Sequence, residues 1–336
     1  MSPLISIIIP VREITDYLHH ENLPAMSRQF YNKFEVIVLP NKLRSKDKEL
    51  LSIYPWLRII PTGNISRPAQ KRDIGVKNSN GDIIAFIDDD AYPAENWLER
   101  AVHIFKTKKV SAVCGPGLLP HKCNYWEKIF DAILQNPLGS GGYQYRFIKD
   151  TPRYVDDYPS MNFLIKKGVF DELGGFDNEY WPGEDSKLCE DLVYKKHGKK
   201  FYHPEVRVYH HRRSNLAGFL RQHANYGFHR GAFFAHGDKN SRRLSYLIPT
   251  LFVIYLFIYL FVCLFVYFFH FPSSTFSLLS SIFYLLFFPL LLYFLLSLIF
   301  LHNSLLAIPV IFLTHVIYGT MFIKGFAVAL VKKNIY

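Results

Sequence analysis

Hydrophobic patterning divides this chain into two regimes. Up to about residue 245, short apolar runs alternate with polar or helix-like stretches; beyond it the chain is apolar almost without interruption. The runs at 5–9, 34–39, 57–60 and 83–87 predict strands, and the segments 45–51 and 69–76 between them read as helical. That alternation predicts βαβ units and a parallel sheet, an α/β fold. Ile83-Ile84-Ala85-Phe86-Ile87 has no polar residue on either face, as in a strand covered on both sides. Further on, 95–106 places Leu98, Val102 and Phe105 at helical spacing, and 110–114 predicts another strand. A helix should begin at Gly183-Glu184-Asp185, with Leu188, Leu192 and Val193 on one face, and stop at Gly198.

The second regime holds three runs, 247–271, 276–301 and 305–323, each about long enough to cross a bilayer as a helix. Arg242 and Arg243 stand just before the first, which predicts a cytoplasmic domain in front of a multi-pass anchor. Three crossings would put Lys332 and Lys333 on the opposite side, against the same charge bias, so the expectation is two to three spans. Residues 215–236 mix Phe219, Tyr226, Phe233 and Phe234 with Arg221, His223, His229 and Arg230. They read either as an amphipathic helix lying in the membrane interface or as an ordinary domain helix. The predicted organisation is a catalytic domain over 1–214, an interfacial helical linker over 215–245 and a membrane region over 246–336. Residues 4–9 are too short a run for a signal-peptide core and read as the first strand.

Charge sharpens this division. After Tyr246 there is no Asp, Glu or Arg, and the formal charges are Lys324, Lys332 and Lys333; of the net +11, +8 falls on the first 245 residues. A basic excess there suits a phosphorylated ligand or an anionic membrane face. Nucleic acid is not an expected partner, since there is no basic stripe with interleaved aromatics and no zinc-finger spacing. The four cysteines, Cys114, Cys123, Cys189 and Cys263, form no CxxC pair, so neither a disulfide framework nor a zinc site is expected. No Gly-x-Gly-x-x-Gly follows the first strand and there is no Walker loop, which argues against dinucleotide and P-loop readings.

The candidate chemistry begins where the fourth predicted strand ends. Asp88-Asp89-Asp90 follows it directly, at the edge where open α/β sheets bind ligands. Three carboxylates crowded together repel unless a cation lies among them, and oxygen ligands favour Mg²⁺ or Mn²⁺. One strand earlier, Lys71 and Arg72 lie near the start of a predicted helix, where two cations and a helix N-terminus suit a diphosphate. Asp185 is expected at or near the N-cap of its helix. There the helix dipole would favour its ionised form, ready to accept a proton from a hydroxyl.

Taken in order, these segments resemble the family 2 glycosyltransferases. The resemblance covers Ser6-Ile7-Ile8-Ile9-Pro10-Val11, Lys71-Arg72-Asp73-Ile74-Gly75 and Asp88-Asp89-Asp90. It continues through Gly174-Gly175-Phe176-Asp177, Gly183-Glu184-Asp185 and Val208-Tyr209-His210-His211, roughly residues 2–235 in all. It implies a GT-A (nucleotide-diphospho-sugar transferase) fold with a mixed, mostly parallel central sheet, followed by transmembrane helices. Its implied activity is transfer of a sugar, with inversion, from a nucleotide diphosphate to a hydroxyl of a glycan or lipid-linked acceptor, in cell-envelope polysaccharide or glycoconjugate synthesis. Asp88 and Asp90 correspond to a pair that binds the donor through Mn²⁺ or Mg²⁺, and Asp89 could substitute for either. His210 is similar to a histidine that completes the metal site, with His211 competing for that role. Asp185 corresponds to the catalytic base. Pro10, Val11, Glu13, Lys71 and Arg72 fall on the donor side, Glu184 and Trp181 on the acceptor side.

Two departures stand out. The second strand ends Leu39-Pro40-Asn41 where the family has an Asp-Asp or Asp-Gly, which leaves UDP only a default donor nucleotide. Arg221-Gln222-His223-Ala224-Asn225-Tyr226-Gly227 stands where processive synthases carry QxxRW, which argues against a polymerase. Two rival readings stay open: a polyprenyl-phosphate glycosyltransferase similar to dolichol-phosphate mannose synthases, and a catalytically idle membrane subunit.

Overall fold

The computed structural model describes residues 2–176, 183–269 and 273–331. In chain order the strands are β1 (Ile5–Pro10), β2 (Phe34–Leu39), β3 (Leu57–Ile59), β4 (Ile83–Ile87), β5 (Ala91–Pro93), β6 (Ala112–Cys114), β7 (Gly117–Leu118), β8 (Arg153–Tyr154), β9 (Asn162–Lys166), β10 (Lys200–Tyr202) and β11 (Val208–His210). The α-helices are α1 (Leu23–Ser27), α2 (Leu50–Ile53), α3 (Pro68–Lys77), α4 (Trp97–Thr107), α5 (Tyr125–Leu134), α6 (Pro137–Ser140), α7 (Lys167–Leu173), α8 (Glu184–Glu190), α9 (Leu216–His236), α10 (Leu244–Phe269), α11 (Ser273–Leu301) and α12 (Ala307–Val331). The chain divides into two compact units. One comprises Met1–Cys123 and Tyr145–His211, the other Asn124–Gln144 and Arg212–Ile335.

The first unit is built on a mixed sheet of order β3-β2-β1-β4-β9-β6-β10-β8. Four of its seven pairings are parallel, as expected of a mostly parallel sheet. The exceptions are β9, which runs antiparallel between β4 and β6, and β8 at the edge. β4 is buried along its whole length, and so are Ile5 to Ile9 of β1. Continuous apolar runs follow from that double coverage. Gly75 shows how closely α3 lies on the sheet, since a Cβ there would stand 2.5 Å from the Ile8 side chain. A second, small sheet of order β5-β11-β7 runs beside the end of β4.

The local expectations for this unit needed three adjustments. Over 45–51 there is a 3₁₀ turn at Ser45–Asp47 and then α2, because the Arg44 guanidinium and backbone N–H both bond the Asp47 carboxylate and close the turn. The strand expected at 110–114 pairs only over Ala112–Cys114, the residues in register with β9 and β10. The helix expected to end at Gly198 winds as α over Glu184–Glu190 and finishes as a π turn over Asp191–Lys195.

In the second unit α10, α11 and α12 contain three stretches long and apolar enough to cross a membrane: Leu244–Phe268, Tyr284–Leu301 and Ala307–Val331. Many of their large apolar side chains, Phe257, Phe261 and Leu285 among them, are exposed, which suits a lipid environment. α9 packs along α12 through glycines. A Cβ on Gly231 would stand 2.1 Å from the Phe322 carbonyl oxygen, and one on Gly325 1.9 Å from that of Phe228. Close backbone approach over small residues is how helices pack in membranes. α5 joins the same core, where Ile129, Phe130, Ile133 and Phe219 pack with Leu301, Val310 and Ile311. The Phe130 and Phe219 rings stack at 4.0 Å. Arg212 holds the buried Asp131 at 2.7 Å, fixing the entry to α9 against α5.

Candidate active site

The acidic triplet lies where β4 runs out, and the backbone turns its middle side chain away from the other two. Asp88 and Asp90 are partly exposed. β11 pairs antiparallel with β5, His210 opposite Ala91, which brings residues 120 positions apart together. His210 Nε2 lies 3.1 Å from Asp90 Oδ1. One ligand atom each from Asp88, Asp90 and His210 lies within 4.8 Å of the others, a group able to hold a metal ion. Two hard carboxylates suit either Mg²⁺ or Mn²⁺, and the added imidazole favours Mn²⁺, since Mg²⁺ takes oxygen donors.

Neighbouring residues on a strand point oppositely, and that separates the two histidines. His211 is buried, lies tilted 4.3 Å from the Tyr17 ring and meets Glu21 Oε2 at 3.0 Å. It therefore does not share the cluster with His210. Asp89 is likewise turned away, its Oδ2 accepting from the Thr15 hydroxyl at 2.9 Å. Burial, with Asp90 close by, pushes its carboxyl up to about 6. The expectation that Asp89 could stand in for its neighbours meets a carboxylate committed to the loop after β1.

α3 supplies the two expected cations, and both are buried. The Lys71 ammonium donates to the Val11 carbonyl, to the Leu39 carbonyl and to Asn41 Oδ1. Burial lowers its pKa. All three ammonium protons are thus engaged in tying the ends of β1 and β2 together, and Asn41 takes its side-chain orientation from Lys71. Pro10 closes β1, Val11 is buried behind it, and Glu13 points outward to Arg44 at 2.8 Å.

Arg72 forms the central bridge. Its guanidinium bonds Asp88 Oδ1 at 3.0 Å and Glu184 Oε1 at 3.1 Å, while its buried Nε has no partner. The guanidinium carbon lies 5.5 Å from the centre of the Phe176 ring. Next to it, Asp73 accepts from the Phe176 N–H at 2.9 Å. Gly175 makes this possible. Its φ is +85°, and a Cβ would stand 2.7 Å from the Asp73 carboxylate. α3 therefore grips both ends of the 176–184 segment. Trp181 and Asp177 lie outside the described residues.

Glu184 and Asp185 occupy the first turn of α8, whose N-cap is Gly183. Glu184 is buried, held by Arg72 and by the Gly183 N–H. Asp185 accepts from the Ser186 N–H at 2.8 Å and the Ser160 N–H at 3.3 Å. The dipole expected to favour its ionised form is opposed here. Burial pushes the carboxyl up to about 6, the carboxylates of Glu184 and Asp157 add to the rise, and Arg72 and the Ser186 N–H only partly oppose it. A short helix's dipole, worth about 1 kcal/mol or less, is outweighed by desolvation. Thr15, Asp73 and Ser160 position these groups; of the three, only Asp73 stood within a recognised segment.

The family described as "Glycosyl transferase family 2" matches residues 6–174, half the chain, covering β1 to α7. The chain belongs to this family. Among curated relatives of this family 2 glycosyltransferase is Glycosyltransferase AglE of Haloferax volcanii, 32% identical over 203 residues. These cover 57% of the chain and 63% of AglE, just under two thirds of that relative. Another, from Methanococcus voltae, is a dolichyl N-acetyl-α-D-glucosaminyl phosphate 3-β-D-2,3-diacetamido-2,3-dideoxy-β-D-glucuronosyltransferase. It is 25% identical over 264 residues, 75% of this chain and 79% of the relative. Among solved structures, the mannosyltransferase PcManGT from Pyrobaculum calidifontis, in complex with GDP-Man and Mn²⁺, superposes with a TM-score of 0.50. Its identity is 18%, over 68% of this chain and 64% of that one. The glycosyltransferase fold of the first unit is GT-A.

Proposed function

We propose that this family 2 glycosyltransferase moves a sugar, with inversion, from a nucleotide diphosphate to a hydroxyl on a lipid-linked glycan, its catalytic unit facing the cytoplasm. The observation that carries the reading is the buried Arg72 bridge. One guanidinium joins Asp88, a member of the metal-capable cluster, to Glu184, the neighbour of Asp185. Asp88, Asp90 and His210 would hold the divalent ion, which when bound neutralises a diphosphate leaving group. Arg72 keeps a positive charge and an unpaired Nε–H beside that cluster. Lys71 acts as a positioning residue, shaping the loops after β1 and β2 rather than reaching a phosphate.

Asp185 takes the proton of the attacking acceptor hydroxyl. A carboxyl titrating near 6 is a stronger base than an ordinary aspartate and is still largely ionised at neutral pH. One displacement at the anomeric carbon then inverts it, with no covalent intermediate. A base at this position favours a hydroxyl acceptor over a phosphate, which needs none. Lipid linkage is supported by the three apolar helices and by the phosphate-linked lipid in the M. voltae relative's name.

The test is a screen of UDP- and GDP-sugars with the detergent-purified chain, following nucleoside diphosphate release with Mn²⁺ and with EDTA. Mn²⁺-dependent release that rises with a lipid-linked glycan, giving a product of inverted anomeric configuration, is the expected result. Release that persists in EDTA, or a sugar-1-phosphate lipid as product, would overturn it.

A further inference from the structure

We infer that the head of α10 carries a binding site for the phosphate of a membrane lipid, set between α9, α10 and α12. The reasoning starts from charge. Residues 213–243 hold six cations, Arg213, Arg221, Arg230, Lys239, Arg242 and Arg243, against the single carboxylate of Asp238. Two of these arginines are built into a layer of aromatic rings. Arg243 donates to the Tyr143 hydroxyl at 2.7 Å. The Tyr143 ring stacks on Tyr246 at 5.5 Å, and the Arg230 guanidinium lies 4.5 Å from the Tyr246 ring centre. Guanidinium groups held in this way are pre-organised for phosphate oxygens.

Buried hydroxyls without partners supply the second, independent observation. Thr250 follows Tyr246 by four residues, so the two share one face of α10. It is 7% exposed, and its Oγ1 has no hydrogen-bond partner. The Tyr318 hydroxyl on α12 is also buried and unpartnered, with Arg230 and Tyr143 as its polar neighbours. The three helices converge here. A Cβ on Gly319 would meet the Pro249 carbonyl oxygen at 2.4 Å, and one on Gly227 the Tyr318 carbonyl oxygen at 2.3 Å. A buried hydroxyl left unpaired costs stability in an apolar setting. Two of them beside two arginines, at the end where an apolar helix begins, fit a phosphate that accepts from all four while its hydrocarbon chain follows the apolar helices. Headgroups of the bulk bilayer stay at the surface, whereas Thr250 lies six residues, about 9 Å, inside α10. The occupant is therefore a phosphate-linked acceptor lipid. That identity, though not the phosphate site itself, rests on the transferase reading above.

The test uses the full-length chain in phosphatidylcholine nanodiscs and measures binding of polyprenyl phosphate without nucleotide sugar. Arg243→Gln should weaken binding about ten-fold or more, the worth of a charge-assisted hydrogen bond. Tyr318→Phe and Thr250→Val should weaken it several-fold without lowering the melting temperature, because each removes an unpaired hydroxyl rather than a contact. A purely structural role predicts no change in binding for these two. Unchanged binding in all three variants, or equal displacement by phosphatidylglycerol or by inorganic phosphate, would overturn the proposal. Lipid binding by a wild-type chain that releases no nucleoside diphosphate would instead remove the transferase reading and leave the phosphate site standing.

Discussion

Asp185→Asn exchanges one carboxylate oxygen for an amide, and its expected effects on activity and stability have opposite signs at neutral pH. Burial raises the carboxyl from 3.8 to about 6 in the folded chain, so between those values the folded state keeps a proton that the unfolded state has released. Stability therefore falls as pH rises through that window, and the loss persists at pH 7.5. A rise from 3.8 to about 6 corresponds to ~3 kcal/mol. Asp185 is partly exposed, and screening reduces the figure to about 2 kcal/mol. Asparagine never ionises and escapes this cost. It also has one acceptor oxygen where the carboxylate uses two, for Ser186 and Ser160, and losing one bond costs about 1 kcal/mol at every pH. The variant should thus be about 1 kcal/mol more stable than wild type at pH 7.5 and less stable near pH 4. In melting temperature the gap between the two proteins should swing by roughly 4–8 °C across that range. The assay is intrinsic-fluorescence melting of both proteins in detergent and EDTA, alongside sugar transfer at neutral pH. Transfer should drop by about 10²–10⁴-fold, the usual worth of a general base. A melting-temperature gap that ignores pH would refute the perturbed carboxyl. Near wild-type transfer would move the base elsewhere.

Other expectations follow from single contacts. His210→Ala removes the nitrogen of the metal-capable cluster and should weaken Mn²⁺ binding by roughly 10-fold or more, read by titration calorimetry; His211→Ala should not, because His211 pairs with Glu21. Arg72→Met strands the buried Glu184 carboxylate and should cost about 3–5 kcal/mol, measured as a fall in melting temperature. The double variant Arg72→Met/Glu184→Met should recover much of it, and additive losses would argue against the bridge. Gly231→Leu places a side chain 2.1 Å from the Phe322 carbonyl and should abolish monodisperse protein in detergent gel filtration, whereas Gly168→Ala, with open space around it, should behave as wild type.

The elements legible in the sequence are those whose signal is local. A fully apolar run marked β4, and runs with one polar residue each marked β1 and β2, because both faces of a central strand are largely covered; three long apolar runs marked α10, α11 and α12. The acidic triplet was readable because it follows a strand directly. Pairing between distant segments was not. Residues 124–144 look like part of the first unit by position, yet Ile129, Phe130 and Ile133 form the apolar face of an amphipathic helix whose partners lie beyond residue 210. Lys71 and Arg72 were expected as two cations suited to a diphosphate; their burial, with Lys71 tying β1 to β2 and Arg72 bridging Asp88 and Glu184, was not legible.

Sequence alone determined the α/β alternation, the family, and which residue types could do metal and acid–base chemistry, because periodicity and charge are properties of neighbours along the chain. Tertiary structure decided which of those residues meet. It chose His210 over its neighbour through the register of β11 on β5, turned Asp89 toward Thr15, and set Asp185 among Glu184, Asp157 and Arg72. Strand pairing and burial set the side-chain direction, the desolvation and the charged neighbours of each group, and none of these is encoded within one local segment.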